Sequence, residues 1–231
     1  MVYLMRVLTL SGWGQPHDAL GVLAPGATHA DYAGCVGVEE ALAAIAEQGR
    51  GHGVVIGWSL GGQLAVRAIA AGMLKPPALV LIAVPFRFVA TPEQAFGMKR
   101  DLYDKFRADY ARRAERTLHK AWGLVVKDDR RANHVRAHLG RHDKQAVLEK
   151  DWLGWLDRLD GFGCEDLPMG HFPPTLLIHG ERDAVVNVEQ SRHFAAALPQ
   201  ARLEILSQCG HAPHWHDSEY VQRLITEHGH V

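Results

Sequence analysis

The feature that most constrains this chain is a serine flanked by glycines where a predicted strand meets a predicted helix. Residues 57–61 read Gly-Trp-Ser-Leu-Gly, which matches the pattern G-x-S-x-G with Ser59 at its centre. The apolar run 54–56 precedes the motif, and a helix pattern follows it over residues 61–72. Such a sharp turn strains the backbone at the serine and leaves room only for glycine beside it. In a turn of this kind the Ser59 hydroxyl is exposed above the end of a sheet. The alternative is that residues 57–61 form an ordinary glycine-rich turn.

Other apolar runs bounded by turn residues predict further buried strands, and the periodic stretches between them predict helices. The predicted strands cover residues 7–10, 54–56, 78–84, 175–179 and 202–206, and the predicted helices cover residues 38–48, 61–72, 188–198 and 219–228. Strands that alternate with helices favour a mostly parallel sheet covered on both faces, which is an α/β fold.

The alternation of strands and helices stops between residues 89 and 165. Thr91, Pro92 and Gln94 have the pattern of a helix start, and long polar stretches without a strand pattern follow. The chain is therefore predicted to consist of a first core part (1–88), an inserted helical cap (89–165) and a second core part (166–231).

The insertion is strongly basic. Residues 99–144 hold 14 Lys and Arg against seven Asp and Glu, whereas the whole chain has a formal net charge of −1. This local excess indicates either a solvated helix surface or a docking face for an acidic partner. The insertion also contains Trp122, Trp152 and Trp155, which we expect to pack inward rather than to line a pocket.

A serine hydroxyl is a weak nucleophile unless a base takes its proton, so the motif predicts an acid and then a histidine further along the chain. Asp183 follows the predicted strand 175–179, and His211 follows the predicted strand 202–206. Sites in open α/β sheets form in such loops after strand ends. We predict that His211 accepts the Ser59 proton and that Asp183 orients His211.

Neighbouring residues compete for these two roles. His214 is the main rival of His211 as the base. Asp217 lies close to the histidines in the sequence, and Asp166 precedes its strand instead of following it, so both are weaker candidates for the acid. The spacing of His211, His214 and His216 could suggest a metal, but no Cys or carboxylate cluster matches it, and we predict neither a metal nor a cofactor.

The negative oxygen that develops in acyl transfer needs hydrogen-bond donors. The Leu60 N–H lies at the start of the predicted helix, where negative charge is stabilised. Residues 11–14, Ser-Gly-Trp-Gly, follow the first predicted strand, and the Trp13 N–H is the candidate for a second donor. The alternative interpretation is that residues 11–14 form only a tight turn.

Composition excludes several other classes of protein. The overall charge balance does not suggest a nucleic-acid partner, and no apolar run approaches the roughly 20 residues that a membrane span needs. The apolar start of the chain lacks the charged segment of a secretory signal. Cys35, Cys164 and Cys209 show no C-x-x-C spacing, which favours reduced thiols. We expect a monomeric cytoplasmic protein without a membrane partner.

Four segments are more distinctive than the rest. They are Leu-Ser-Gly-Trp-Gly at 10–14, Gly-Trp-Ser-Leu-Gly-Gly at 57–62, Gly-Glu-Arg-Asp at 180–183 and Gly-His-Ala-Pro at 210–213. Together they resemble the α/β-hydrolase superfamily, and within it the BioH family of pimeloyl-[acyl-carrier-protein] methyl ester esterases. The resemblance covers most of residues 5–85 and 173–228.

The resemblance implies an α/β-hydrolase fold with about six or seven strands and a helical cap. It implies that Ser59, Asp183 and His211 are the catalytic triad, and that Trp13 and Leu60 donate their amides to the oxyanion. The chain departs from the family in two places, and neither removes a member of the triad. Ser11 stands where the family usually has histidine, and the segment from residue 14 to residue 57 is shorter than usual, as if an N-terminal hairpin were missing.

For function, the resemblance implies a serine carboxylesterase that hydrolyses the methyl ester of pimeloyl-acyl-carrier protein in biotin synthesis. The basic cap would then meet the acidic carrier protein. The candidate docking residues are Arg112, Arg113, Arg116, Arg130, Arg131 and Arg136. The alternatives are a general short-chain carboxylesterase, lactonase or thioesterase that acts on small esters, and a non-catalytic binding protein with the same fold.

Overall fold

The computed structural model describes residues 6–229, so residues 1–5 of the apolar start and residues 230–231 lie outside the described part. In that part, six strands form one sheet in the order β2-β1-β3-β4-β5-β6, and every neighbouring pair is parallel. The strands are β1 (Val7–Leu10), β2 (Thr28–His29), β3 (Val54–Trp58), β4 (Ala78–Ile82), β5 (Thr175–Gly180) and β6 (Ala201–Leu206). The predicted α/β fold is confirmed.

Helices follow most of the strands, and five helices in a row lie between β4 and β5. They are α1 (Val38–Gln48), α2 (Leu60–Ala70), α3 (Arg100–Arg112), α4 (Ala114–Val125), α5 (Ala132–Leu139), α6 (Lys144–Leu148), α7 (Trp152–Asp160), α8 (Glu189–Ala197), α9 (Pro213–His216) and α10 (Ser218–His228). Within the described residues, no helix is both long enough and apolar enough to cross a bilayer.

The centre of the sheet is apolar on both faces. Every residue of β3, β4 and β5 is buried, whereas β6 at one edge is mostly half-buried. Near-continuous runs of Val, Ile and Leu are what a parallel strand covered on both sides requires. The predicted strand 78–84 ends two residues earlier, because Ala83 takes a positive φ of 48° and the chain leaves the sheet there.

Glycines let α2 pack closely against the sheet. A Cβ at Gly61 would collide with the Leu10 carbonyl, and one at Gly62 would collide with the Val84 side chain. Because the contact at Gly61 is with backbone atoms, no rotation of a side chain can relieve it. The start of α2, and the serine before it, are therefore held against the carboxyl ends of β1 and β3.

The predicted helix start at Thr91 is wrong. Thr91 and Gln94 instead exchange backbone hydrogen bonds across a turn, with N···O distances of 3.2 and 3.1 Å. The cause is an isolated bridge between Val89 and Met98, which pulls the segment into a closed loop, and the first helix of the insertion begins only at Arg100.

Helices α3 to α7 lie between β4 and β5 in the chain, inside the insertion that the sequence predicts. Trp152 and Trp155 of α7 are almost fully buried in the main core, as expected. On the outer side, Arg100 and Arg107 of α3 form exposed ion pairs with Asp160 and Asp157 of α7. Helices α3 and α7 are thus joined by ion pairs on their solvent side, while α7 packs with its apolar residues into the core. Cys35, Cys164 and Cys209 are free thiols, as predicted.

Candidate active site

Ser59 occupies the strained turn that the motif predicts. Its backbone has φ 53° and ψ −119°, a left-handed conformation that is rare for a residue with a side chain. The Ser59 N–H donates to the Ile82 carbonyl at 3.0 Å, and the Ser59 carbonyl accepts the Gln63 N–H at 3.1 Å. The strain is therefore held by a bond to the sheet on one side and by helix α2 on the other.

Asp183 and His211 meet although they lie on different loops. The Nδ1 atom of His211 is 2.7 Å from Oδ2 of Asp183, and the other Asp183 oxygen accepts the N–H groups of Val185 and Val186 at 2.8 Å each. Burial alone would raise the pKa of Asp183, but the opposing charge and hydrogen bonds of His211 and His179 hold it below its usual range. A charged carboxylate therefore faces the His211 ring.

His179 is a partner of Asp183 that the sequence analysis missed. Its Nε2 atom lies 3.2 Å from Asp183 Oδ2 and 2.9 Å from the Val186 carbonyl, while Nδ1 is 2.6 Å from the Ser191 hydroxyl. Because a carbonyl only accepts, Nε2 carries the proton and Nδ1 accepts from Ser191. The available signal was that His179 stands four residues before Asp183 at a strand end.

One cavity of about 590 Å³ is lined by Ser59, Asp183 and His211. In the described residues no direct hydrogen bond joins the Ser59 hydroxyl to His211, and such catalytic bonds often form only with substrate in place. The opposite wall belongs to the insertion and is mostly apolar. It includes Phe96, Met98, Leu102, Phe106, Trp122 and Leu159. Trp122 therefore lines the cavity as well as packing inward.

The two predicted amide donors lie on either side of Ser59. Leu60 is the first residue of α2, directly after the serine. The turn that carries Trp13 runs against the serine, because a Cβ at Gly12 would lie 3.3 Å from the Ser59 Cβ. Trp13 itself lines the cavity, and its indole N–H donates to the Trp152 carbonyl at 2.7 Å.

The rival residues have other environments. His214 is fully buried between Trp58 and Trp215, with ring centroids 4.5 Å from each, and neither of its ring nitrogens has a partner among the described residues. Burial, assisted by nearby histidines, holds its pKa well below the ordinary value. Asp217 caps α10 by accepting the Tyr220 N–H at 3.1 Å. Asp166 is exposed.

The six candidate docking arginines fall into two groups. Arg112 and Arg131 form ion pairs with Asp109 and Asp217, and Arg136 donates to Asn133. Within the described residues, the three remaining side chains are exposed and make no ion pair. They are Arg113, Arg116 and Arg130.

Asp129, Cys209 and His216 form a compact group whose ligand-type atoms lie within 4.8 Å of one another. Both Asp129 oxygens already accept hydrogen bonds, from the Gly210 N–H at 2.7 Å and from His216 Nδ1 at 2.8 Å. Burial, together with the negative charge of Asp129, raises the pKa of the Cys209 thiol. The chemistry of this group fits a structural link better than a metal centre.

Comparison with known proteins gives a consistent class. A sequence model of the alpha/beta hydrolase family matches residues 6–223. The pimeloyl-[acyl-carrier protein] methyl ester esterase of Aromatoleum aromaticum is 30% identical over 193 residues, which cover 75% of this chain and 72% of that protein. The protein of the same name from Xanthomonas campestris pv. campestris is 30% identical over 231 residues, which cover 96% of this chain and 83% of that protein.

Solved structures share the fold at lower identity. An esterase from Exiguobacterium antarcticum superimposes with a TM-score of 0.76 at 15% identity and covers 98% of this chain and 92% of its own. A bromoperoxidase from Bacillus anthracis gives a TM-score of 0.78 at 16% identity, with 97% and 91% covered. The chain therefore belongs to the α/β-hydrolase family. With esterases as its relatives at 30% identity, it is a carboxylic ester hydrolase.

Proposed function

We propose that the protein is a serine esterase that hydrolyses the methyl ester of a pimeloyl group carried on acyl carrier protein, in biotin synthesis. The observation that carries the proposal is the cavity of about 590 Å³ that brings Ser59 and His211 against an apolar wall. This lining suits a hydrocarbon chain, and the volume is within the usual range for ligand sites. Relatives that share 30% identity are named for this ester.

In the proposed acylation step, Nε2 of His211 takes the proton of the Ser59 hydroxyl while Oγ attacks the ester carbonyl carbon. Asp183 accepts the Nδ1 proton of His211 at 2.7 Å, which leaves Nε2 as the basic nitrogen. The carbonyl oxygen becomes negative and accepts the N–H groups of Trp13 and Leu60.

The adduct collapses when His211 returns the proton to the methoxy oxygen, and methanol leaves. Ser59 then carries the acyl group as an ester. Water attacks this ester and gives a proton to His211, and the second adduct releases the free acid while Ser59 Oγ recovers its proton. Each proton thus passes through His211, and the enzyme returns to its starting state.

We take residues 89–165 as the cap. Its positive charge is the reason for proposing a substrate bound to a carrier protein. Arg113 and Arg116 begin α4 on its exposed side, and Ala121 and Leu124 of the same helix line the cavity. An acidic carrier protein held on these arginines would present its acyl arm close to the cavity. Opposite charge chiefly raises the rate of such an encounter.

The test compares two substrates in one variant. In Arg113→Glu/Arg116→Glu/Arg130→Glu, kcat/KM for pimeloyl-acyl-carrier protein methyl ester is expected to fall about 10-fold or more, while kcat/KM for p-nitrophenyl acetate stays within about twofold. The matched control is Arg50→Glu/Lys75→Glu, which reverses exposed charges near the amino ends of β3 and β4, whereas Ser59 lies at the carboxyl end of β3. It should leave both substrates unchanged.

An equal loss on both substrates, or no loss on either, would contradict the docking face. The substrate itself is tested by growth of a biotin-requiring strain that lacks its own methyl ester esterase. Rescue by this gene is expected, and failure despite normal p-nitrophenyl ester hydrolysis would favour the general esterase instead.

A further inference from the structure

A carboxylate of the cap binds the His211 loop, by which we mean residues 207–216 with the short helix α9 at their end. Asp129 lies between α4 and α5, and its side chain is completely buried. Its Oδ2 accepts the Gly210 N–H at 2.7 Å, and its Oδ1 lies 2.8 Å from Nδ1 of His216. Because a carboxylate only accepts, His216 donates this bond. Asp129 therefore holds the loop on both sides of His211.

Backbone hydrogen bonds extend this contact between cap and loop. The Arg130 N–H donates to the Gln208 carbonyl at 2.9 Å, and the His211 N–H itself donates to the Val125 carbonyl at 3.2 Å. A Cβ at Gly210 would lie only 2.8 Å from the Val125 oxygen. The cap therefore approaches so closely because residue 210 has no side chain.

His211 is thus held by two carboxylates, one of which binds it directly and the other through its neighbours. Asp183, from the core, binds the imidazole ring. Asp129, from the cap, binds the backbone N–H of the preceding residue, Gly210, and it does not line the cavity that contains Ser59. Orientation of a base depends on both, because a ring that is well bound on a displaced backbone still misses its target.

We propose that Asp129 is a positioning residue, which fixes the backbone of the His211 loop so that Nε2 faces Ser59 and makes esterase activity depend on the contact between cap and core. This inference rests on the proposed role of His211 as the base. It gives the cap a part in the chemical step in addition to its part in the pocket.

The test replaces Asp129 by asparagine, which keeps the shape and loses one acceptor. The amide NH2 must then face a donor, either the Gly210 N–H or the Arg131 N–H and His216 group that share Oδ1. With p-nitrophenyl acetate, Asp129→Asn is expected to lower kcat about 10- to 100-fold and to leave KM within about twofold, since no cavity residue changes.

The matched control is Asp157→Asn, which removes an exposed carboxylate of the same cap that pairs with Arg107 on α3. Its kcat should stay within about 1.5-fold of the parent. All rates are referred to the folded fraction, measured from the near-ultraviolet circular dichroism of the buried tryptophans. If Asp129→Asn keeps kcat within about twofold at equal folded fraction, Asp129 is merely structural and the proposal is wrong.

A second pair of variants decides the matter if Asp129→Asn does not fold. His216→Leu removes one donor to Asp129 and is expected to lower kcat about fivefold, whereas His216→Asn keeps an N–H near the place of Nδ1 and should restore it to within about twofold. Equal rates in the two variants would overturn the proposal. His211→Ala is measured alongside, because its full activity would refute the proposed base whatever Asp129 does.

Discussion

The core and the cap of this molecule are held together by different kinds of contact. The core places Ser59 by backbone contacts, with α2 set directly against the Leu10 carbonyl and the serine amide bonded to the sheet. The cap consists of amphipathic helices joined on their outer side by exposed ion pairs such as Arg107–Asp157. Placement of the nucleophile is therefore expected to depend on the core. Selection of substrate is expected to depend on the outer part of the cap, whose exposed contacts can change at little cost, whereas the buried Asp129 joins the cap to the chemical step.

The largest expected effect is the loss of the nucleophile in the core. Ser59→Ala should lower kcat for p-nitrophenyl acetate by about 10⁴-fold or more, because the hydroxyl that forms the acyl-enzyme is gone while the fold needs only its backbone. A fluorophosphonate probe should label the parent and not the variant. A folded Ser59→Ala protein with ordinary turnover would contradict the whole proposed triad.

The next effect compares one glycine from each region. Gly61→Ala should lower the free energy of unfolding by about 3 kcal/mol or more, because the new Cβ collides with the Leu10 backbone and cannot rotate away. Gly123→Ala, in cap helix α4, meets nothing within 4 Å and should raise stability by up to about 1 kcal/mol through helix propensity. Urea unfolding measures both. Equal responses would remove the distinction drawn between the two regions.

The same distinction explains which features could be predicted from the sequence. Strands β3, β4 and β5 are buried on both faces, so their apolar runs mark them, and Ser59 and Asp183 follow β3 and β5 within three residues. His211 follows the half-buried strand β6, and the Gly and Pro residues around it mark its loop. Strand β2 has only two residues, and it is a strand because it pairs with β1. A segment this short has no apolar pattern of its own, so the sequence does not predict it.

In the cap, contacts between residues outside the local pattern decide the structure, and two predictions differ from it for this reason. Thr91 has the sequence pattern of a helix start, but the bridge between Val89 and Met98 closes the segment into a turn instead. Asp129 lies within Lys-Asp-Asp-Arg-Arg at 127–131, which is typical of a solvated charge run, yet it is buried by partners about 80 positions away in the chain. The sequence around Asp129 does not predict the positioning role that we propose, because that role depends on the packing of the cap against residues 207–216.

A smaller effect concerns His214, which lies beside the site but uses neither ring nitrogen. Its pKa is lowered in the folded protein by burial, so on acidification the unfolded chain takes up the proton first, and stability falls as the pH drops below about 6.5. His214→Phe should remove up to about 1 kcal/mol of this loss between pH 6.5 and pH 5.5, measured by urea unfolding. Its activity at pH 8 should stay within about threefold, whereas loss comparable to that of Ser59→Ala would restore His214 as the base.

The smallest effect is expected for the ion pair on the outside of the cap. Asp157→Asn breaks the pair with Arg107, whose hydrogen bond holds the pKa of Asp157 below its usual value. Both side chains are more than two-fifths exposed, so water and salt replace most of the interaction. We expect the thermal midpoint to change by no more than about 2 °C, and by less in 0.5 M salt than in roughly 0.02 M salt. A shift as large as that of Gly61→Ala would mean that the cap, like the core, depends on fixed contacts, and its proposed freedom to vary with substrate would be lost.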